Sequence, residues 1–271
     1  MADAARSAAR SVSSSPLVRV LARGGYAASG LVHVLIGILV LSLAVGGSGE
    51  ADQSGALRAI AGAPLGILVL WSLAVLLWAL GLYHLVEGFL LRASGDAKAQ
   101  AAGWGRRISE WGQGVVFAAL GTVAASVALG ARTDGNAVAE GASRNALSLP
   151  GGPLLLGAVG LGIAAGGIAF VVMGILRSFE KKMSIPSGGI GPFVTGLGIV
   201  GYIAKGIALA VVGVLLIVAA VTADAAQAGG LDDAFDKLHG LFLGPLLVGV
   251  VGAGFVAYGV FLFFRARYAR L

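Results

Sequence analysis

Cysteine is absent from this chain of 271 residues. No disulfide, thiolate nucleophile or cysteine metal site can therefore exist, although the absence identifies no compartment. Charge is scarce as well. Asp, Glu, Lys and Arg make up 12% of the residues, against ~25% in an ordinary soluble domain. Hydrophobic residues make up 58% and mean hydropathy is +0.92, more apolar surface than one soluble core can hide. Several motifs are missing too. No glycine-rich stretch is followed by the Lys-Ser/Thr of a phosphate loop, and no serine sits in a Gly-x-Ser-x-Gly elbow. No His-x-x-x-His or Glu-x-x-His spacing offers a helical metal ligand set. No proline interrupts the middle of a long apolar run. These absences leave no credible catalytic constellation, so the expectation is a protein that is not an enzyme and uses no cofactor.

What is present is apolar and continuous. The runs 65–91 and 194–221 exceed the ~20 residues that cross a bilayer as helix. They do not alternate, which favours helices over a barrel. Six spans are expected, at 25–46, 65–91, 109–130, 153–177, 194–221 and 244–264. The fold class is therefore all-α, a polytopic membrane protein, and the lipid bilayer is its first partner.

The charges between the spans alternate. Arg6, Arg10, Arg19 and Arg23 precede the first span. Arg92, Lys98, Arg106 and Arg107 follow the second; Arg177, Lys181 and Lys182 follow the fourth; Arg265, Arg267 and Arg270 end the chain. Together they are 14 of the 19 basic residues. The other three loops hold eight of the 13 acids: Glu50, Asp52, Asp134, Glu140, Asp224, Asp232, Asp233 and Asp236. The positive-inside rule then puts both termini in the cytoplasm. It also explains a pI near 10.0 without nucleic acid. The Ala-, Ser- and Arg-rich start lacks a signal-peptide core before Leu31 and reads as a flexible tail.

A glycine pair seven residues apart recurs in every span: Gly30/Gly37, Gly81/Gly88, Gly114/Gly121, Gly167/Gly174, Gly206/Gly213 and Gly252/Gly259. Seven residues make nearly two turns, so both glycines share one face. A face without side chains admits another backbone, as in helix association in lipid. The spans pair into three tandem two-helix repeats. Gly30, Gly114 and Gly206 align, and Pro64, Pro153 and Pro245 each open a second helix. Each repeat-internal loop also holds a short surface-helix candidate, at 56–60, 143–149 and 231–238. The expected divisions are a tail 1–22, repeats 23–92, 107–178 and 193–271, and cytoplasmic linkers 93–106 and 179–192. Units of unchanged orientation imply a pseudo-threefold axis along the membrane normal.

Gly25-Tyr26-Ala27-Ala28-Ser29-Gly30 and Gly201-Tyr202-Ile203-Ala204-Lys205-Gly206 open the first helices of two repeats. Phe170-Val171-Val172-Met173-Gly174 and Phe255-Val256-Ala257-Tyr258-Gly259 end two second helices. With these motifs the chain, from Arg23 to Tyr268, resembles the bacterial membrane family called domain of unknown function 1206. The middle repeat has Glu110 where the others have Tyr26 and Tyr202. The first has His84 where the others have Phe170 and Phe255. The resemblance implies a bacterial inner membrane and no assigned activity.

Polar groups inside spans are the remaining candidates, because a central ionised side chain costs ~2.5–3.5 kcal/mol on insertion scales. They are His33, His84, Glu87, Glu110 and Lys205. Each histidine follows a glycine by three and precedes its partner glycine by four, so both project from glycine-lined faces. They lie at matching depth. Interhelical packing, a proton or ligand path, and metal or haem ligation all remain open for them. Glu87 neighbours His84 on one helix. Glu110 follows Arg106 and Arg107 as an anchor partner, and Lys205 snorkels beside Gly206. A sharper alternative gathers Glu87, Lys205 and Glu110 at one spot. Three functions follow: a non-enzymatic membrane protein that binds lipid, a protein partner or its own copy; a small proton-coupled transporter using His84, Glu87 and Lys205; and a haem- or quinone-binding subunit through His33 and His84.

Overall fold

A computed structural model describes residues 16–47, 50–91, 97–132, 134–185 and 188–270. Six helices are long and apolar enough to cross a membrane. They are α1 (Pro16–Ala44), α3 (Gly66–Leu90), α4 (Ala97–Ala128), α6 (Gly152–Ile175), α7 (Ile190–Thr222) and α9 (Gly244–Tyr268). One short α-helix lies between the two long helices of each repeat: α2 (Gln53–Ala61), α5 (Gly135–Leu147) and α8 (Leu231–His239). The chain is an all-α, polytopic membrane protein of three two-helix repeats.

The helices overrun the expected spans where hydropathy falls but helix propensity does not. α4 begins twelve residues before 109, because Ala97–Arg107 is rich in Ala, Lys, Gln and Arg, all good helix formers. Residues 97–106 of the expected linker are therefore helix. α1 begins at Pro16, inside the expected tail, with proline at the first helical position. Residues 1–15 lie outside the described residues. The linker 179–192 carries a 3₁₀ turn, Ser178–Lys182, and the start of α7. An isolated bridge between Met183 and Ala269 ties it to the C-terminal end. Pro153 and Pro245 stand in the first turns of α6 and α9. Pro64 does not: α3 starts two residues later, after Leu65 in the left-handed region.

The chain divides into two compact units. One holds Met1–Ala28, Ile60–Ala131 and Leu271, the other Ser29–Ala59 and Arg132–Arg270. In the first unit α3 packs on α4 at Gly81 and Gly114. A Cβ on Gly81 would stand 2.9 Å from the Gly114 carbonyl oxygen. The flanking glycines seat indoles: Trp111 covers Gly88 and Trp78 covers Gly121. In the second unit α6 packs on α7, Gly167 against Gly206 and Gly160 against Gly213. Gly174 faces Ile199 and Ile203. Each second helix thus meets the first helix of the following repeat.

Within the second unit α9 meets α1 in the same register. Gly259 faces Gly30 and Gly252 faces Gly37. Gly81, Gly167 and Gly259 are each the sixteenth residue of their helices, so Gly30 opposite Gly259 matches Gly114 opposite Gly81 and Gly206 opposite Gly167. The expected match of Phe255 with His84 and Phe170 is corrected by one glycine period, because a seven-residue repeat of glycine looks alike at either alignment.

The short helices are stitched together within the second unit. Asp232 of α8 accepts the Ala51 amide at 2.6 Å and Asn136 Nδ2 at 3.4 Å. Asn136 Oδ1 in turn accepts the amides of Gly230 (2.9 Å) and Asp233 (3.4 Å). Asp52 is 3% exposed and caps α2 through Ser54 and Gly55. Burial pushes the Asp232 carboxyl above the usual carboxylate range. The Ala51 amide opposes the rise, and Asp236, Asp52 and Glu50 add to it. α8 keeps the amphipathic form expected of 231–238, with Ala234 and Phe235 buried.

Candidate functional site

The glycine contacts bring a pair of repeat-equivalent positions face to face in two interfaces. On the second helices the position holds His84 and Phe170, each the nineteenth residue of its helix. Between α6 and α7, Phe170 stacks on Tyr202 with centroids 5.4 Å apart and 25° between planes. Between α3 and α4 the same positions hold His84 and Glu110, and Nδ1 of the imidazole donates to the Glu110 carboxylate at 2.7 Å. Phe117 stacks on the ring of His84. Between α9 and α1 His33 stacks on Phe255 at 5.9 Å and 21°. Phe255 is the twelfth residue of its helix and Phe170 the nineteenth, so this stack lies one glycine period from the Phe170 level.

His33 is fixed at both nitrogens. Nδ1 lies 2.7 Å from the Ser29 carbonyl oxygen, which can only accept, so Nδ1 carries the hydrogen. Nε2 then presents its lone pair, and Lys205 Nζ donates to it at 3.2 Å. The ammonium also lies 4.6 Å from the centroid of Tyr258 and 5.3 Å from that of Phe170, as cation–π contacts. Tyr258 meets the His33 ring edge-on at 5.0 Å. Among the described residues no carboxylate forms an ion pair with Lys205. One wall of this cage comes from each of α1, α6 and α9, and the lysine comes from α7. The Tyr258 wall continues into Tyr202, whose hydroxyl accepts from Arg265 at 3.0 Å.

Four of the five candidates fall into two pairs. His84 takes Glu110 within the first unit, and Lys205 takes His33 within the second. Lys205 takes the His33 imidazole, where the sharper alternative gathers it with Glu87 and Glu110. The Glu87 carboxylate has no hydrogen bond or ion pair among the described residues. Glu110 partners His84, not the preceding arginines. Arg107 instead caps α3, donating to the carbonyls of Gly88 (3.1 Å) and Leu91. His33 Nε2, the atom an axial ligand would offer, already accepts from Lys205. Among the described residues no three His, Asp or Glu side chains gather to hold a metal. Sequence reasoning missed Tyr258 and Phe170 as walls of the lysine site. Phe170 was visible in an aromatic-x-x-x-Gly motif, but its facing partner depended on register.

Three stretches of the chain, 24–90, 110–177 and 200–269, match the model of the family described as Domain of Unknown Function (DUF1206). An uncharacterised protein of Bacillus subtilis (strain 168), YxxB, is 27% identical over 261 residues, covering 94% of this chain and 93% of that protein. No solved structure matches.

Proposed function

The chain belongs to the DUF1206 family, and on that premise we propose that it is a non-enzymatic protein of the bacterial inner membrane that binds an anionic, lipid-like ligand at Lys205. Its basic loops and both termini face the cytoplasm, in keeping with the positive-inside rule. One observation carries the reading. Lys205 lies within a membrane span, yet a neutral imidazole and two aromatic faces hold its ammonium. An intramembrane charge ordinarily finds an opposite charge, because leaving it uncompensated in lipid is expensive. The other candidate pair, His84 with Glu110, brings its own acid and serves packing between α3 and α4. Basic sites between membrane helices take anionic lipid headgroups, and the aromatic walls suit an apolar body beside the charge.

Native mass spectrometry of gently solubilised protein tests this, with a visible spectrum of the same sample. A bound anionic lipid is expected on the wild type and lost in Lys205→Met. Equal lipid retention by both would refute the site. A coloured preparation would point to a cofactor instead, and Glu87-dependent flux in proteoliposomes to transport.

A further inference from the structure

We propose that the turn Ser178–Lys182, continued to Ser184, is a lid on the cytoplasmic side of the Lys205 site, with Phe179 as its plug. The proposal rests on the reading of Lys205 as the binding centre and assigns the ligand its route of entry. Phe179 is 3% exposed. It stacks on Tyr202 at 5.2 Å and 20° and meets Phe261 edge-on at 5.1 Å. α7 makes room for it at Gly198, where a Cβ would stand 2.5 Å from Phe179 Cζ. Tyr202 in turn stacks on Phe170 and meets Tyr258 edge-on, each at 5.4 Å. Those two rings face the Lys205 ammonium. Phe179 is therefore one end of a file of rings that leads to the ammonium.

Of these rings Phe179 alone stands outside the long helices. Phe170, Tyr202, Tyr258 and Phe261 belong to α6, α7 and α9, whose backbone bonds cannot be given up in lipid. Phe179 sits on a 3₁₀ turn of five residues, a form with poorer hydrogen-bond geometry. A few bonds latch the lid to the end of the chain. Met183 pairs with Ala269 in an isolated bridge. The Ser184 amide donates to the Tyr268 carbonyl at 2.8 Å, and the Arg270 amide to the Lys182 carbonyl at 3.1 Å. Arg270 Nε adds a bond to Ser184 Oγ at 3.2 Å, and Thr195 donates to Glu180 at 3.1 Å. Segments held by so few bonds open locally while the helices around them stay folded. Arg177, at the hinge, is held in the left-handed region with φ of 51°, a conformation that a non-glycine residue leaves readily. Lys181 and Lys182 are exposed on the lid, where anionic headgroups of the cytoplasmic leaflet pair with them. Once Phe179 leaves its seat, the Tyr202 ring has room to turn aside, and the path to Lys205 is open. A ligand favours the open state only by binding it better, which the two lid lysines and the uncovered ammonium provide.

The absence of cysteine allows the lid to be locked and released in one protein. Met183 and Ala269 form a non-hydrogen-bonded pair, since the residues on either side make the bonds. Such pairs bring Cα atoms to ~4.5 Å, within reach of a disulfide. Met183→Cys with Ala269→Cys is therefore locked by oxidation and freed by reduction. Protein loaded with phosphatidylglycerol is mixed with an excess of chain-deuterated phosphatidylglycerol in micelles, and native mass spectra follow replacement of the bound lipid. Oxidation should slow the replacement by more than about tenfold, because a covalent latch removes the local opening. Reduction should restore it. Phe179→Ala, which forfeits both ring contacts, should speed it by about tenfold. Hydrogen exchange at the Ser184 and Arg270 amides reads the latch without any ligand. It should be faster than within α7 and α9 and should stop on oxidation. Lys205-dependent lipid that is replaced equally fast in the oxidised and reduced protein overturns the lid. Latch amides as protected as those of α7 overturn the opening itself. If the wild type and Lys205→Met hold phosphatidylglycerol alike, or neither holds it, the binding reading and the entry role fail together, while the amide rates separately decide whether the turn opens.

Discussion

Gly167 and Gly162 lie on one face-to-face helix, α6, five residues apart, and alanine at each should have opposite effects. A Cβ on Gly167 would stand 2.6 Å from both the Gly206 carbonyl oxygen and the Ala210 nitrogen. Ordinary contact begins near 3.4 Å, so α7 must retreat by most of an ångström. The obstructing atoms are backbone and no rotamer change relieves them. A Cβ on Gly162 meets nothing within 4 Å. Both substitutions gain the same helix propensity, ~1 kcal/mol. The difference between the two variants therefore isolates the overpacking cost, ~1–3 kcal/mol. Gly162→Ala should be stabilising by about the propensity term, and Gly167→Ala neutral to destabilising by ~2 kcal/mol. Reversible unfolding in mixed detergent micelles, followed by far-UV circular dichroism, measures both. If Gly167→Ala is as stable as Gly162→Ala, the helices are not held by backbone contact and the packing account fails.

His84→Phe and Glu110→Tyr should each destabilise the first unit, since each leaves the other group without its partner. The double variant should recover stability by installing the aromatic stack seen at Phe170 and Tyr202, with a coupling of ~0.5–3 kcal/mol in a double-mutant cycle. Asn136→Ala should cost ~1–3 kcal/mol by stranding the Gly230 amide, and hydrogen exchange should quicken at 230–233. The raised Asp232 carboxyl has a definite sign. The folded state holds this proton more tightly than the unfolded state, so its contribution is full below the ordinary carboxylate range. That contribution is lost as pH rises through the raised folded value. Asp232→Asn should flatten this part of the melting curve against pH; an unchanged slope would show that Asp232 is not its source.

Most of the architecture is legible in one dimension. Hydropathy locates all six membrane helices because each must satisfy its own backbone in lipid. The seven-residue glycine pairs mark packing faces, and all six pairs lie at helix contacts. Helix ends are less legible. Arg106 and Arg107 read as loop because charge ends a hydropathic run, although Lys, Arg and Ala continue a helix well. The candidate site is half legible. Each of His33, His84, Glu110 and Lys205 stands out as a costly polar group, but none announces its partner.

Six spans, three repeats and the faces on which the helices meet can be read from the chain alone. Periodic apolar and glycine patterns are local properties of a helix, set by 3.6 residues per turn. That each second helix packs on the next repeat, and which glycine of a pair meets which, needed the folded chain. A heptad of glycines offers the same surface every ~10 Å, so it carries no information about which period is used. The register in which Gly30 meets Gly259 puts His33 beside Phe255 and Lys205, and so it decides what the buried lysine touches.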